Sequence, residues 1–281
     1  MKYFLLFLFV CSCYHARSQK LFADFFLGAA NYNGDLGGPQ IPPIHSHPAF
    51  GLGLYYEINN RMGLKADLNY GKISGSDKYG GTNKDRNLSF TSTITEFTFT
   101  FQYILFDLYD YKVSPYFFIG VSKFAFNPYT KDTKGNIVYL TELNTEGQGF
   151  YQDRKEYKTK QTAIPFGGGL MWAINDNKRI SLFMGIRKTS TDYLDDVSTT
   201  YIDYNILFSK RGTAATGIAY RGDELTNGAP YPADGTQRGN AKNKDWYYFT
   251  GASLSLRLVP PHSYRKQNDK ARRAKITCPK L

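Results

Sequence analysis

From residue 21 to residue 258 the chain repeats one pattern: strand-like, aromatic-rich segments joined by connections that are alternately long and short. Eight such segments stand out, at 21–32, 49–58, 62–73, 87–105, 115–126, 161–174, 179–193 and 245–258. The connections 33–48, 74–86, 127–160 and 194–244 are long, and those around Asn60, at 107–114 and at 175–178 are short and polar. Long and short alternate strictly. This is how a small membrane β-barrel is written, with tight turns on one side of the bilayer and long loops on the other. Each segment has the ~10 residues a tilted strand needs to cross. The sequence therefore predicts an all-β, eight-stranded antiparallel transmembrane barrel of the outer-membrane kind, with extracellular loops and both termini in the periplasm.

The side-chain alternation agrees. In the second segment Phe50, Leu52, Leu54, Tyr56 and Ile58 share one face, and Gly51, Gly53, Tyr55 and Glu57 the other. In the third, Leu64, Ala66, Leu68 and Tyr70 oppose Lys65, Asp67 and Asn69. A soluble sandwich would have to bury those charges, whereas a polar barrel lumen accommodates them. In the fourth, Phe97, Phe99, Phe101 and Tyr103 oppose Glu96, Thr98, Thr100 and Gln102. Upstream, Leu88, Phe90 and Ile94 are apolar in the opposite phase. Either a bulge near Thr95 or a strand leaving the bilayer accounts for that change. The fifth segment is apolar on both faces and leaves its facing open. The inward set of Glu57, Lys65, Asp67, Glu96, Arg187 and Arg257 contains both signs, so paired lumen charges forming an ionic plug are expected rather than an ion path. A barrel of ~8 strands is filled by its own side chains.

Composition sets the outer limits. Mean hydropathy is −0.44, and beyond the first residues no apolar run is long enough for a membrane helix. A barrel escapes that test, since only alternate residues face lipid. Residues 1–18 read as a cleaved secretory signal: Lys2, an apolar stretch from Tyr3 to Val10, and small residues in Ala16-Arg17-Ser18. A rival reading lipidates Cys13. Cys278 is then the one thiol outside the leader region, so no internal disulfide is expected. His45 and His47 flank a serine in a Pro-rich connection without an evident third ligand and read as solvated loop residues; no metal or cofactor is expected.

Net charge is +11, much of it concentrated in a tail, residues 259–281, that carries Arg265, Lys266, Lys270, Arg272, Arg273, Lys275 and Lys280 against Asp269 alone. In an exported chain this points to acidic partners, anionic outer-membrane lipid or peptidoglycan, and not to nucleic acid. The acidic cluster Asp192, Tyr193, Asp195 and Asp196 admits Ca²⁺ ligation. We read it as shaping the rim where the seventh strand enters its loop. No hydrolase elbow, P-loop or dinucleotide fingerprint is present, and Gly167-Gly168-Gly169 lies within a strand.

Seven segments, taken in order, resemble the PorG-like outer-membrane proteins of Bacteroidetes: 31–36 (NYNGDL), 64–71 (LKADLNYG), 86–90 (RNLSF), 115–121 (PYFFIGV), 145–149 (TEGQG), 163–167 (AIPFG) and 187–201 with its TDYLDDVSTTY run. The resemblance spans nearly the whole of 19–258 and implies an eight-stranded outer-membrane barrel. It implies further a component of the type IX secretion and gliding machinery that anchors the periplasmic PorK/PorN ring, with no catalytic residues to carry over. A general adhesion or envelope-stabilising barrel is the alternative. A small outer-membrane enzyme is the remote one, for which the available histidines are His45, His47 and His262.

Overall fold

The computed structural model describes residues 20–37, 46–79 and 83–258. The expected leader, the basic tail with its candidate contact residues, Cys13, Cys278, His45 and His262 lie outside the described residues. The strands are β1 Leu21–Asn33, β2 His47–Asn59, β3 Met62–Ser76, β4 Ser89–Ile104, β5 Val113–Lys131, β6 Ile137–Tyr139, β7 Lys160–Asn175, β8 Lys178–Thr189 and β9 Trp246–Arg257. Each of the eight long strands pairs antiparallel with its neighbour, β4 pairs β5, and β9 pairs back on β1, so the sheet closes. The short β6 is a hairpin extension of β5 alone. Closure gives each of the eight long strands a partner on both sides, which is the condition for strands to cross a bilayer.

The outward face is an apolar band. Leu27, Leu52, Leu68, Phe97, Val121, Leu170, Leu182 and Leu254 are all exposed, where a soluble protein would cover them. β5, whose facing the sequence leaves open, turns Phe117, Ile119 and Val121 out and Tyr116, Phe118, Phe124 and Phe126 in.

No bulge occurs near Thr95. The β3–β4 register runs unbroken from Met62↔Tyr103 to Ser76↔Ser89, and the even-numbered residues of β4 face inward throughout. What inverts is chemistry. From Glu96 to Gln102 the strand is polar inside and apolar outside; from Thr95 back to Ser89 it buries Phe90 and Ile94 inside, with Ser92 between them taken by the Asn127 N–H, and turns Thr91, Thr93 and Thr95 outside. Phe90 and Ile94 join Tyr32, Leu36, Leu88, Phe126, Leu194 and Tyr247 in one core. The lower barrel thus has a lipid-facing exterior and a polar lumen, and the upper barrel an ordinary apolar core. The inversion marks where the strands leave lipid.

Other boundaries move for the same reason. β3 and β5 continue to Ser76 and Lys131 because strand pairing satisfies their backbone above the band as well as within it. β8 stops at Thr189, so residues 190–193 are not strand. The connection expected to be a plain loop at 194–244 contains a helix, α1 Tyr204–Ala219. Asp203 caps it, accepting from the Asn205 and Ile206 N–H groups. Gly212, at φ 77°, breaks it in the middle, a conformation favouring glycine. His47 opens β2 rather than lying in a loop, and its Nε2 is 2.7 Å from Ser74 Oγ.

Candidate functional site

Inside the band the lumen is tied by three charged knots. At the turn end, Glu57 receives Lys20 Nζ at 2.7 Å and Arg179 Nη2 at 2.5 Å, and Tyr109 Oη donates to it at 3.1 Å. The Arg179 guanidinium lies 4.5 Å from the centre of the Phe22 ring. Midway, Lys65 Nζ bridges Asp24 at 2.7 Å and Asp67 at 3.2 Å, and Ser255 Oγ donates to Asp24. Toward the loop end, the fully buried Glu96 accepts from Arg187 Nη2 at 3.3 Å, Tyr247 Oη at 2.5 Å, Thr98 Oγ1 at 2.6 Å and Asn69 Nδ2 at 3.1 Å. Gly185 leaves the room Arg187 needs, since a Cβ there would collide with the guanidinium.

The structure thus places Glu57, Lys65, Asp67, Glu96 and Arg187 in the lumen knots. Arg257 is the exception. It is half-buried at the turn end, donates to Asp176 O at 3.5 Å, and has no ion pair among the described residues. It sits in the last ladder position before residue 258, with its guanidinium 5.7 Å from the centre of the inward Phe22 ring. Sequence reasoning misses three charged members of the knots, and with them Tyr109 and Tyr247. Lys20 and Arg179 lie at strand starts, where facing is hardest to read, and the strand carrying Asp24 shows no clear phase.

Between the knots, cavities of only about 30 Å³ and 10 Å³ remain, lined by residues such as Lys65, Thr100 and Arg187 in the first and Asp24 and Ser181 in the second. The larger is on the order of one or two waters.

The mouth is sealed by a second network drawn from all four long loops. Glu146, from the third, is fully buried and accepts from Arg238 Nη1 at 2.9 Å, from the Ser198 and Thr199 N–H groups at 2.9 and 3.0 Å, and from Thr199 Oγ1 at 2.6 Å. Arg238 also donates to the Asp196 and Ala219 carbonyls. Asp196 accepts from Thr145 Oγ1 and Tyr157 Oη. Asp195 accepts from Tyr32 Oη at 2.5 Å and from the Leu36 and Val197 N–H groups. Asp192 accepts from Ser198 Oγ, and Tyr193 Oη donates to Glu146. From the second loop, Arg86 forks onto Asp77 and also donates to the Asp35 and Arg238 carbonyls. The acidic cluster read as a rim is therefore the floor of a buried cap. Its organisers, Glu146, Arg86 and Arg238, are scattered over three loops; Arg86 and Glu146 fall within the resembling segments 86–90 and 145–149, and Arg238 carries no local signal.

Acid outnumbers base here, and burial shows in the titration. Burial pushes Asp192 and Asp196 up to about 7. Burial pushes Asp195 and Asp245 well above the carboxylate range, with repulsion from Asp35 adding at Asp195 and repulsion from Asp195 adding at Asp245. These groups are structural carboxylates that accept backbone N–H and hydroxyl donors. Among the described residues no group of three or more His, Cys, Asp or Glu has metal-holding geometry.

No curated protein matches the sequence. Several solved structures share the barrel at low identity. Neisserial surface protein A is 8% identical, covers 85% of this chain and 97% of its own, and has a TM-score of 0.41. Ail, the attachment invasion locus protein of Yersinia pestis, solved with the heparin analogue sucrose octasulfate, is 10% identical over 85% of this chain and 99% of its own, TM-score 0.39. A major outer membrane protein from Thermus thermophilus is 11% identical over 84% and 99%, TM-score 0.38. One family model matches the sequence over residues 1–210, most of its length, and by that match the chain belongs to the family described as Domain of unknown function (DUF6089).

Proposed function

We propose that this chain is an exported, non-enzymatic outer-membrane barrel that works as an anchor, making its contacts at its two ends rather than passing solutes through its middle. The observation that carries this reading is the double seal: charged knots fill the lumen and a four-loop cap closes the mouth. A barrel closed twice has no route for a solute. What remains for function is surface above the cap and chain below the turns.

At the finer level, we infer that the anchored partner is the periplasmic ring of the type IX secretion and gliding machinery. The ordered resemblance to PorG-like proteins supports this. The resembling segments supply Tyr32, Lys65, Asp67, Arg86, Glu146, Arg187, Asp195 and Asp196, which build the plug and the cap. The resemblance therefore speaks most strongly for shared architecture, and the partner must be tested directly. Solubilised outer membranes should yield the ring proteins with this chain. Recovery of the barrel alone, with secretion intact after deletion of the gene, would sink the anchor reading. Removing residues 259–281 separates it from the general envelope role: lost secretion supports the ring anchor, and lost envelope integrity with normal secretion supports the alternative.

A further inference from the structure

The outward positions of the barrel strands carry no acidic residue among the described residues, and every charge on them is a lysine. All of these except Lys178 lie toward the loop end. Lys72 follows Tyr70 on β3 and Lys188 follows Ile186 on β8, each one outward position beyond the last apolar residue, and Lys123 follows Val121 on β5. The acids of the barrel wall, Asp24, Glu57, Asp67 and Glu96, are all turned inward and buried. Apart from Lys178, the exterior is therefore positively charged only at the level where the strands leave lipid.

At that level, over β8, β9 and β1, a groove of about 670 Å³ opens on the outside of the wall. Lys188, Trp246 and Tyr248 form its strand side, and Lys242, Asn243 and Lys244 from the fourth loop overhang it. Lys188 Nζ stands 5.7 Å from the centre of the Trp246 ring, and Lys244 Nζ donates to the Ala241 carbonyl at 3.1 Å. None of the three lysines has an ion pair among the described residues. Asp35 is the acid at the groove's edge, but its Oδ2 is taken by the Asn240 N–H at 2.8 Å. Below the groove Ile186, Met184 and Leu182 run down β8, and on β9 Thr250 and Ala252 lead to Leu254, so the wall is apolar apart from Thr250.

We propose that this groove is a binding site for the phosphate-bearing sugar headgroup of an outer-leaflet glycolipid. The three lysines neutralise its phosphates, Trp246 and Tyr248 face its sugar, and its acyl chains run down the β8–β9 face. Three cations without ion pairs, set above an apolar wall, match a ligand that is anionic at one end and hydrocarbon at the other. They do not match a soluble anion, which has no use for the wall. Lysines near a charged lipid surface contribute about fivefold each in affinity, so losing three costs about a hundredfold. The site rests on the outer-membrane reading above, since it needs the loop end to face the glycolipid leaflet.

The test uses the full chain in lipid nanodiscs doped with diphosphoryl lipid A or its dephosphorylated form, with bound lipid counted by native mass spectrometry. The wild type should retain the diphosphoryl form about a hundredfold better. The combined variant Lys188→Gln, Lys242→Gln, Lys244→Gln should lose that preference, while Lys178→Gln at the opposite end keeps it. Heat-dependent gel mobility checks that each variant is folded. Equal retention of the two lipids, an unaltered triple variant, or displacement of the lipid by millimolar inorganic phosphate overturns the proposal. Failure of the folded wild type to enter nanodiscs overturns instead the membrane reading beneath it.

Discussion

Glu96 is held by four side chains from four different strands, and it is fully buried among them. Removing one partner of a buried ion pair leaves an uncompensated charge and costs about 3–5 kcal/mol, whereas replacing both with apolar groups is close to neutral. Glu96→Ala should therefore lower stability by about that amount in urea titrations of the detergent-folded protein. Glu96→Leu combined with Arg187→Met should recover most of it, and an additive double variant would refute the pairing. At Arg238 the expected loss is local. Its guanidinium joins Glu146 to the Asp196 and Ala219 carbonyls, so Arg238→Met should expose the fourth loop to limited proteolysis and leave the barrel intact. These two residues differ in legibility. Glu96 announces itself as the polar member of an alternating strand, because its neighbours Phe97 and Thr98 fix which way it points. Arg238 sits in a polar loop where nothing in the local pattern distinguishes a buried arginine from a solvated one.

Within a strand, alternation fixes facing but not environment, and β4 shows the difference. Its inward residues share one parity from Phe90 to Gln102, yet the large apolar ones, Phe90 and Ile94, give way at Glu96 to an unbroken polar run. Read as sequence, this looks like a slip of phase, and a bulge is one explanation; the unbroken register shows that the solvent changed instead. The band edge then falls between Thr95 and Phe97. Spin labels at Phe97 and Thr93, both outward, should report opposite surroundings: oxygen, which concentrates in lipid, relaxes the first, and a water-soluble nickel complex relaxes the second. Equal accessibility at both positions would remove the edge from this level. Strand existence was legible throughout, and facing wherever polar residues alternate with apolar ones, as in β2, β3 and β4, because a lipid-facing wall demands strict alternation; β1 and β5 lacked that contrast. The helix α1 was not, although Asp203 followed by Ile206 and Leu207 is a capping signal, because its partners come from distant loops: Leu143 and Phe150 pack against the cluster of Leu207 and Ala215.

Across the whole molecule, the four long loops behave as one cap because each contributes a charged or hydrogen-bonding group to a shared buried network: Asp35, Arg86, Glu146 and Arg238. The cap should also sense pH. Asp192, Asp195, Asp196 and Asp245 titrate above their unfolded values, Asp192 and Asp196 at about 7, so through these groups the folded cap holds more protons than the open one. Its stability is then greatest below the ordinary carboxylate range and falls as pH rises through about 7. Hydrogen exchange corrected for intrinsic rates should show residues 190–245 opening more often at pH ~8.5 than at pH ~5.5, on either side of those values, with β1–β3 unchanged; the reverse trend would contradict the assignment. The alternation of long and short connections made the barrel and its two ends legible, but the convergence of the loops is a tertiary property that no spacing encodes. Both seals lead to the same expectation at this scale. Purified protein inserted in planar bilayers should give a silent membrane under applied voltage, with no stepwise current from the wild type. Reproducible single-channel steps from the folded barrel would show an open path through it and contradict both the plugged lumen and the anchor role proposed for the barrel.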